Sequence, residues 1–238
     1  PLGALLLGVA LLFSFWQLRR TAPPQRAVWE GWLLPGLAGA GLGFVYLLAP
    51  LLFQVPGTTI GWALLGLLSL LAGLRLASRT VVACALAVQV GAGLMFFAAW
   101  LGRAAAEDAT VLAHASFWAP LALGLAGLIG AWRLHRQTLA TAWQPLDLPR
   151  LSAALSLWGA LWWARAWASE ILRFAPTDLY TALLLVALAL SMALWAWLAL
   201  RLRWPMLALL CTGWVPVAAV VLVAGYFEGY HPAVDFGW

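Results

Sequence analysis

Apolar runs of about twenty residues recur along the whole chain, the length a helix needs to cross roughly 30 Å of hydrocarbon at about 1.5 Å per residue. This feature constrains the fold more than any other. Inside lipid every backbone N–H and C=O must find its partner within the segment, which selects helices. A transmembrane barrel would need short strands of alternating polarity, and the runs here are continuous. Eight spans follow: Leu2–Leu18, Trp32–Phe53, Thr58–Leu74, Thr80–Leu101, Ala115–Trp132, Leu151–Ile171, Leu179–Leu200 and Pro205–Tyr226. The sixth is the least regular, because Arg165 and Glu170 fall inside it.

Composition closes off the soluble alternatives. With 65% hydrophobic residues, 9% charged residues and a mean hydropathy of +0.95, a water-soluble globule would lack a polar surface. The formal charge of +5 does not mark a nucleic-acid binder: all thirteen basic residues are Arg and stand singly or in pairs at the ends of apolar runs. That is the distribution of topology signals rather than of a phosphate-binding patch. Arg without Lys, in a chain rich in Ala, Leu, Gly and Trp, points to a GC-rich bacterial source and the inner membrane.

The Arg residues also orient the chain. Connections after spans one, three, five and seven hold Arg19, Arg20, Arg26, Arg75, Arg79, Arg133, Arg136, Arg150, Arg201 and Arg203. The opposite side holds Arg103, Arg165 and Arg173, together with the acids Glu107, Asp108, Glu170, Asp178, Glu228 and Asp235. Ten Arg against three place the first set in the cytoplasm and both termini outside. Short connections leave no room for a soluble domain and make successive spans antiparallel neighbours. The expected architecture is therefore an all-α polytopic transmembrane bundle of antiparallel hairpins over residues 1–238. The chain starts within an apolar run without Met or a charged leader, so it does not read as a signal peptide and is expected to be a segment of a larger many-span protein.

Several residues stand out as candidates. Gly36, Gly39 and Gly43 in the second span provide small side chains for close helix packing. Pro35, Pro50, Pro120 and Pro216 fall at or within spans and free backbone carbonyls locally. Spans three and five end alike, at Gly73-Leu74-Arg75 and Gly130-Ala131-Trp132-Arg133. A duplicated hairpin or a shared need for Arg at a cytoplasmic helix end would each give that pattern. Of the seventeen Trp, Trp16, Trp32, Trp100, Trp118, Trp132, Trp204 and Trp238 fit an interfacial belt. Trp158, Trp162, Trp163 and Trp167 differ, crowding the sixth span beside Arg165 and Glu170.

Charged residues within a span are functional candidates by default, so Glu170 and Arg165 are the candidate catalytic pair. The competing structural reading has Arg165 snorkelling to the outer headgroups. Glu107, Asp108, Asp178, Glu228 and His231 are the outer-face polar candidates. His114, His135 and His231 sit at or outside helix ends, unlike haem ligands on facing spans. No His/Cys/Asp cluster has metal spacing, and Cys84 and Cys211 lie in apolar runs as small core residues. No cofactor or metal is expected; the partners are the bilayer, with bound lipid, and other membrane spans.

The stretch Leu157-Trp158-Gly159-Ala160-Leu161-Trp162-Trp163, followed by Glu170-Ile171 and Arg173, resembles a signature of large bacterial polytopic membrane proteins, the domain of unknown function 2339 family. Trp62-Ala63-Leu64-Leu65-Gly66 with Gly73-Leu74-Arg75, and His231-Pro232 with Gly237-Trp238, are similar to further parts of it. The resemblance covers residues 30–238 and implies a many-span envelope protein with no catalytic motif. Two departures stand out: Leu65 replaces a common acid, and Arg165 replaces a small or apolar residue. The functional expectation is a structural, scaffolding or transport-like envelope component. The alternative is an envelope enzyme acting on a lipid-linked or glycan substrate at the outer interface through Glu170 and Arg165.

Overall fold

The structure is a computed structural model that describes residues 1–20, 31–101, 110–138 and 147–227. Glu107, Asp108, Glu228 and His231 lie outside the described residues. Among the described residues all regular structure is helical: α1 (Leu2–Arg19), α2 (Leu33–Leu52), α3 (Val55–Arg75), α4 (Arg79–Leu101), α5 (Ala115–Thr138), α6 (Leu148–Phe174), α7 (Tyr180–Leu202) and α8 (Pro205–Phe227). A 3-10 turn, Thr177–Leu179, precedes α7. The chain is thus an all-α bundle, and seven of these helices are long and apolar enough to cross a membrane.

The eighth helix is α6, whose 27 residues carry Arg150, Arg165, Glu170 and Arg173. It nonetheless runs antiparallel along the full length of α5. Glu170 meets His114 at one end of the pair, and Ser152 Oγ donates to the Ala131 carbonyl at 2.8 Å near the other. A segment matched end to end with a membrane-length helix covers the same thickness.

Local chemistry sets the helix ends. Pro56 sits in the first turn of α3 and Pro149 in that of α6, where a missing N–H costs nothing. The Asp147 side chain caps α6 by accepting from the Arg150 N–H at 3.1 Å. Ala77 adopts φ 48° in the tight α3–α4 turn, and the Ser78 N–H returns to the Gly73 carbonyl at 2.9 Å. Within α2, Pro50 cannot donate to the Tyr46 carbonyl four residues back. The Trp62 indole of α3 fills that vacancy, donating to the same oxygen at 2.7 Å.

Among the described glycines, backbone approaches backbone most closely where α5 and α6 bring two glycines face to face. A Cβ built on Gly127 of α5 would stand 2.8 Å from the Gly159 Cα of α6, and one built on Gly159 would stand 2.7 Å from the Leu128 nitrogen. The two backbones are in direct contact, and Gly159 belongs to the Trp-rich motif. Gly66 and Gly73 of α3 similarly admit Gln89 and Val82 of α4. Among the described residues the three glycines of α2 expected to pack make no close approach: a Cβ built on Gly36 or Gly43 would meet no atom within 4 Å, and one built on Gly39 only the Cys84 sulfur at 4.0 Å. Close approach in α2 occurs at Gly41, beside Gly8 and Leu12 of α1. Small residues supply opportunity on every face of α2, and the rotation of the helix selects which one is used.

The core sits among α3, α4, α5 and α6. At the Arg-rich end Leu70, Leu74, Val82, Leu134 and Leu155 pack with Trp195 and Trp204. Toward the other end Ala63, Phe96, Ala119, Leu123 and Trp162 form a second cluster. Contacts of Leu70 with Gly130, and of Ala63 with the Ala119–Leu123 region, place α3 and α5 side by side and parallel. The two helices whose ends read alike in the sequence are therefore neighbours.

Candidate functional site

Glu170 lies near the C-terminal end of α6, and its side chain is buried at 5% exposure. A carboxylate removed from water needs donors, and two are supplied by the start of the neighbouring hairpin arm. Its Oε2 faces His114 Nε2 at 2.8 Å, and its Oε1 accepts from the Leu112 backbone N–H. Leu112 holds φ 60°, a left-handed conformation that costs an ordinary L-residue energy. Here it aims the N–H at the carboxylate.

His114 immediately precedes α5. Its Nδ1 accepts from the Phe117 N–H at 3.2 Å and faces Ser116 Oγ at 2.8 Å. Because a backbone N–H can only donate, Nδ1 presents its lone pair, the Ser116 hydroxyl donates to it, and Nε2 carries the proton toward Glu170. The Phe174 ring covers the imidazole at 5.7 Å between centroids. The result is a continuous chain of hydroxyl, imidazole and buried carboxylate. Mechanically it caps α5 and fastens the start of α5 to the end of α6.

Arg165 does not join this site. Five residues along a helix turn the side chain by roughly 140° from Glu170, and Arg165 instead stacks its guanidinium over Trp100 of α4 at 4.7 Å. Among the described residues it forms no ion pair with Glu170, whose partner is His114. Trp100 is the penultimate residue of α4, so Arg165 is level with that helix end. The candidate catalytic pair therefore separates into two sites on different faces of α6. Asp178 is exposed in the turn before α7 and belongs to neither.

The four Trp of α6 divide in the same way. Trp158 and Trp162 stack edge-on at 5.6 Å and press on Gly93 of α4, with Phe96 against Trp162 at 5.8 Å. Trp163 donates its indole N–H to Ser191 of α7 at 3.0 Å and lies 6.3 Å from Trp195. Trp167 meets Phe117 of α5 at 5.5 Å. The helix that is poorest in hydropathy is thus held by protein on three sides.

Two features had no sequence signal strong enough to single them out. Gln89 of α4 is 1% exposed, and its amide has no hydrogen-bond partner among the described residues. The His114–Glu170 contact joins positions 56 apart, and only the placement of a His directly before an apolar run pointed toward it. Among the described residues no group of His, Cys, Asp and Glu could hold a metal ion. An apolar groove of about 350 Å³ lined by Phe15, Leu42, Ala72 and Val81 lies away from both charged residues of α6. Compared with known proteins, the chain matches no family model, no curated protein and no solved structure.

Proposed function

We propose that this multi-pass membrane protein is a structural, scaffolding segment of a bacterial inner-membrane protein, with the Arg-rich helix ends in the cytoplasm. The observation that carries the reading is the enclosure of α6. Its Trp residues pack against α4, α5 and α7, Trp162 buried and Trp158, Trp163 and Trp167 half-buried, and its one buried acid is held by His114 and Leu112. A transport pathway would instead gather polar groups of several spans around an open path. The resemblance to the domain of unknown function 2339 family belongs to this proposal. Its motif glycine and tryptophans coincide with helix contacts, a physical role that needs no catalysis.

Separating fold from chemistry tests the reading. In a strain lacking the protein, scored by detergent sensitivity of the envelope, Glu170→Gln and Arg165→Gln should complement fully whenever they keep the wild-type denaturation midpoint. Loss of complementation by a stably folded Glu170→Gln would overturn it. Orientation is tested independently by cysteine accessibility: a cysteine between Arg133 and Arg150 should label only after permeabilisation, and one at Glu107 in intact cells.

One observation favours a second reading, an enzyme at the outer interface. Ser116, His114 and Glu170 stand in the order of nucleophile, base and orienting carboxylate. Such a set would attack a lipid ester carbonyl through the Ser116 oxygen. His114 would take the proton and return it to the leaving alcohol, and water would then release the acid. A fluorophosphonate probe that labels wild type but not Ser116→Ala would establish it; an unlabelled wild type would remove it.

A further inference from the structure

The parallel placement of α3 and α5 brings the two similar helix ends together, and with them Arg75, Arg133 and Arg136. Arg133 and Arg136 gather around one indole, with guanidinium carbons 5.1 and 5.9 Å from the Trp132 ring centroid. The two cations are therefore at most about 11 Å apart. Both are exposed, and among the described residues neither has an acidic partner. The connection 139–146, Leu-Ala-Thr-Ala-Trp-Gln-Pro-Leu, contains no carboxylate. Asp147, the next acid along, is engaged with Arg150 at 2.9 Å. Two like charges held on one ring at a helix end call for an external anion. An interfacial Trp beside them sets the depth of phospholipid headgroups.

We propose that Arg133, Arg136 and Trp132 form a binding site for a two-phosphate anionic phospholipid of the cardiolipin class. Each guanidinium takes one phosphodiester through paired N–H donors, and two phosphates joined through one glycerol can reach two cations no more than about 11 Å apart. Arg75, at the adjoining end of α3, adds to the positive field. The site rests on the membrane location proposed above but not on the orientation, since the assay below exposes both faces.

Binding is measured on the full chain in neutral detergent by native mass spectrometry, titrating cardiolipin, phosphatidylglycerol, phosphatidylcholine and inorganic phosphate. Cardiolipin should bind most tightly. Arg133→Gln/Arg136→Gln should weaken it about 30-fold, at about 5-fold per Arg near a lipid surface. Trp132→Leu, which keeps both charges, should weaken it several-fold, and Arg150→Gln less than 2-fold. An equal loss in Arg150→Gln, or no loss in the double variant, would overturn the site in favour of bulk charge. Displacement of cardiolipin by millimolar inorganic phosphate would make it a phosphate site rather than a lipid site. A denaturation midpoint for each variant separates loss of binding from loss of fold. Wrong-sided cysteine labelling would leave this result standing while removing the orientation.

Discussion

Replacing Gly159 by Ala would place a methyl carbon 2.7 Å from the Leu128 nitrogen and 2.9 Å from the Gly124 oxygen. Both obstacles are backbone, so no side-chain rotation can relieve them, and the first falls 0.7 Å short of an ordinary 3.4 Å contact. Forcing α5 and α6 apart costs about 1–3 kcal/mol, set against a gain of about 0.5–1 kcal/mol from the better helix former. Gly43→Ala is the matched control, because its methyl meets nothing within 4 Å among the described residues and so collects the same gain without the clash. The propensity gain cancels between the two variants. Their stabilities should therefore differ by the overpacking cost alone, about 5- to 150-fold in the unfolding equilibrium. Titration of each variant from mild detergent into dodecyl sulfate, followed by Trp fluorescence, reads this difference as a shift in midpoint. Equal midpoints would refute the α5–α6 backbone contact. A larger loss at Gly43 would return the packing face of α2 to the one expected from its sequence.

The vacancy left by Pro50 makes a signed prediction. Trp62→Phe should cost about 1–2 kcal/mol by orphaning the Tyr46 carbonyl, and less in a Pro50→Ala background where the helix N–H is restored. A cycle with no coupling would exclude the compensation. His114→Asn keeps a good helix cap but loses the Glu170 contact, so it should destabilise by about 1.5–3 kcal/mol. A wild-type midpoint would show that Glu170 does not depend on His114. For the stacked pair on α4 and α6, a double-mutant cycle of Arg165→Met and Trp100→Leu should give a coupling of about 0.5–2 kcal/mol, and zero coupling would refute the stacking.

Among the described residues the number and order of the helices were legible in the amino-acid sequence, as was the doubtful character of α6, and for a local reason. Span length and backbone satisfaction are imposed by the bilayer on each segment separately, so they are written into consecutive residues. Which face of each helix meets a neighbour was not legible. In lipid the outward and inward faces are both apolar, and association rests on shape rather than hydrophobicity, so the pattern along a helix carries little information about its rotation. That is why the contact in α2 fell at Gly41 rather than at Gly36, Gly39 or Gly43. Arg165 and Glu170, neighbours in the chain, were parted by the turn of their own helix to Trp100 and His114. Likewise, the parallel contact of α3 and α5, which gathers Arg75, Arg133 and Arg136 at one end, depends on helices far apart in the chain. Only the tertiary structure could decide it.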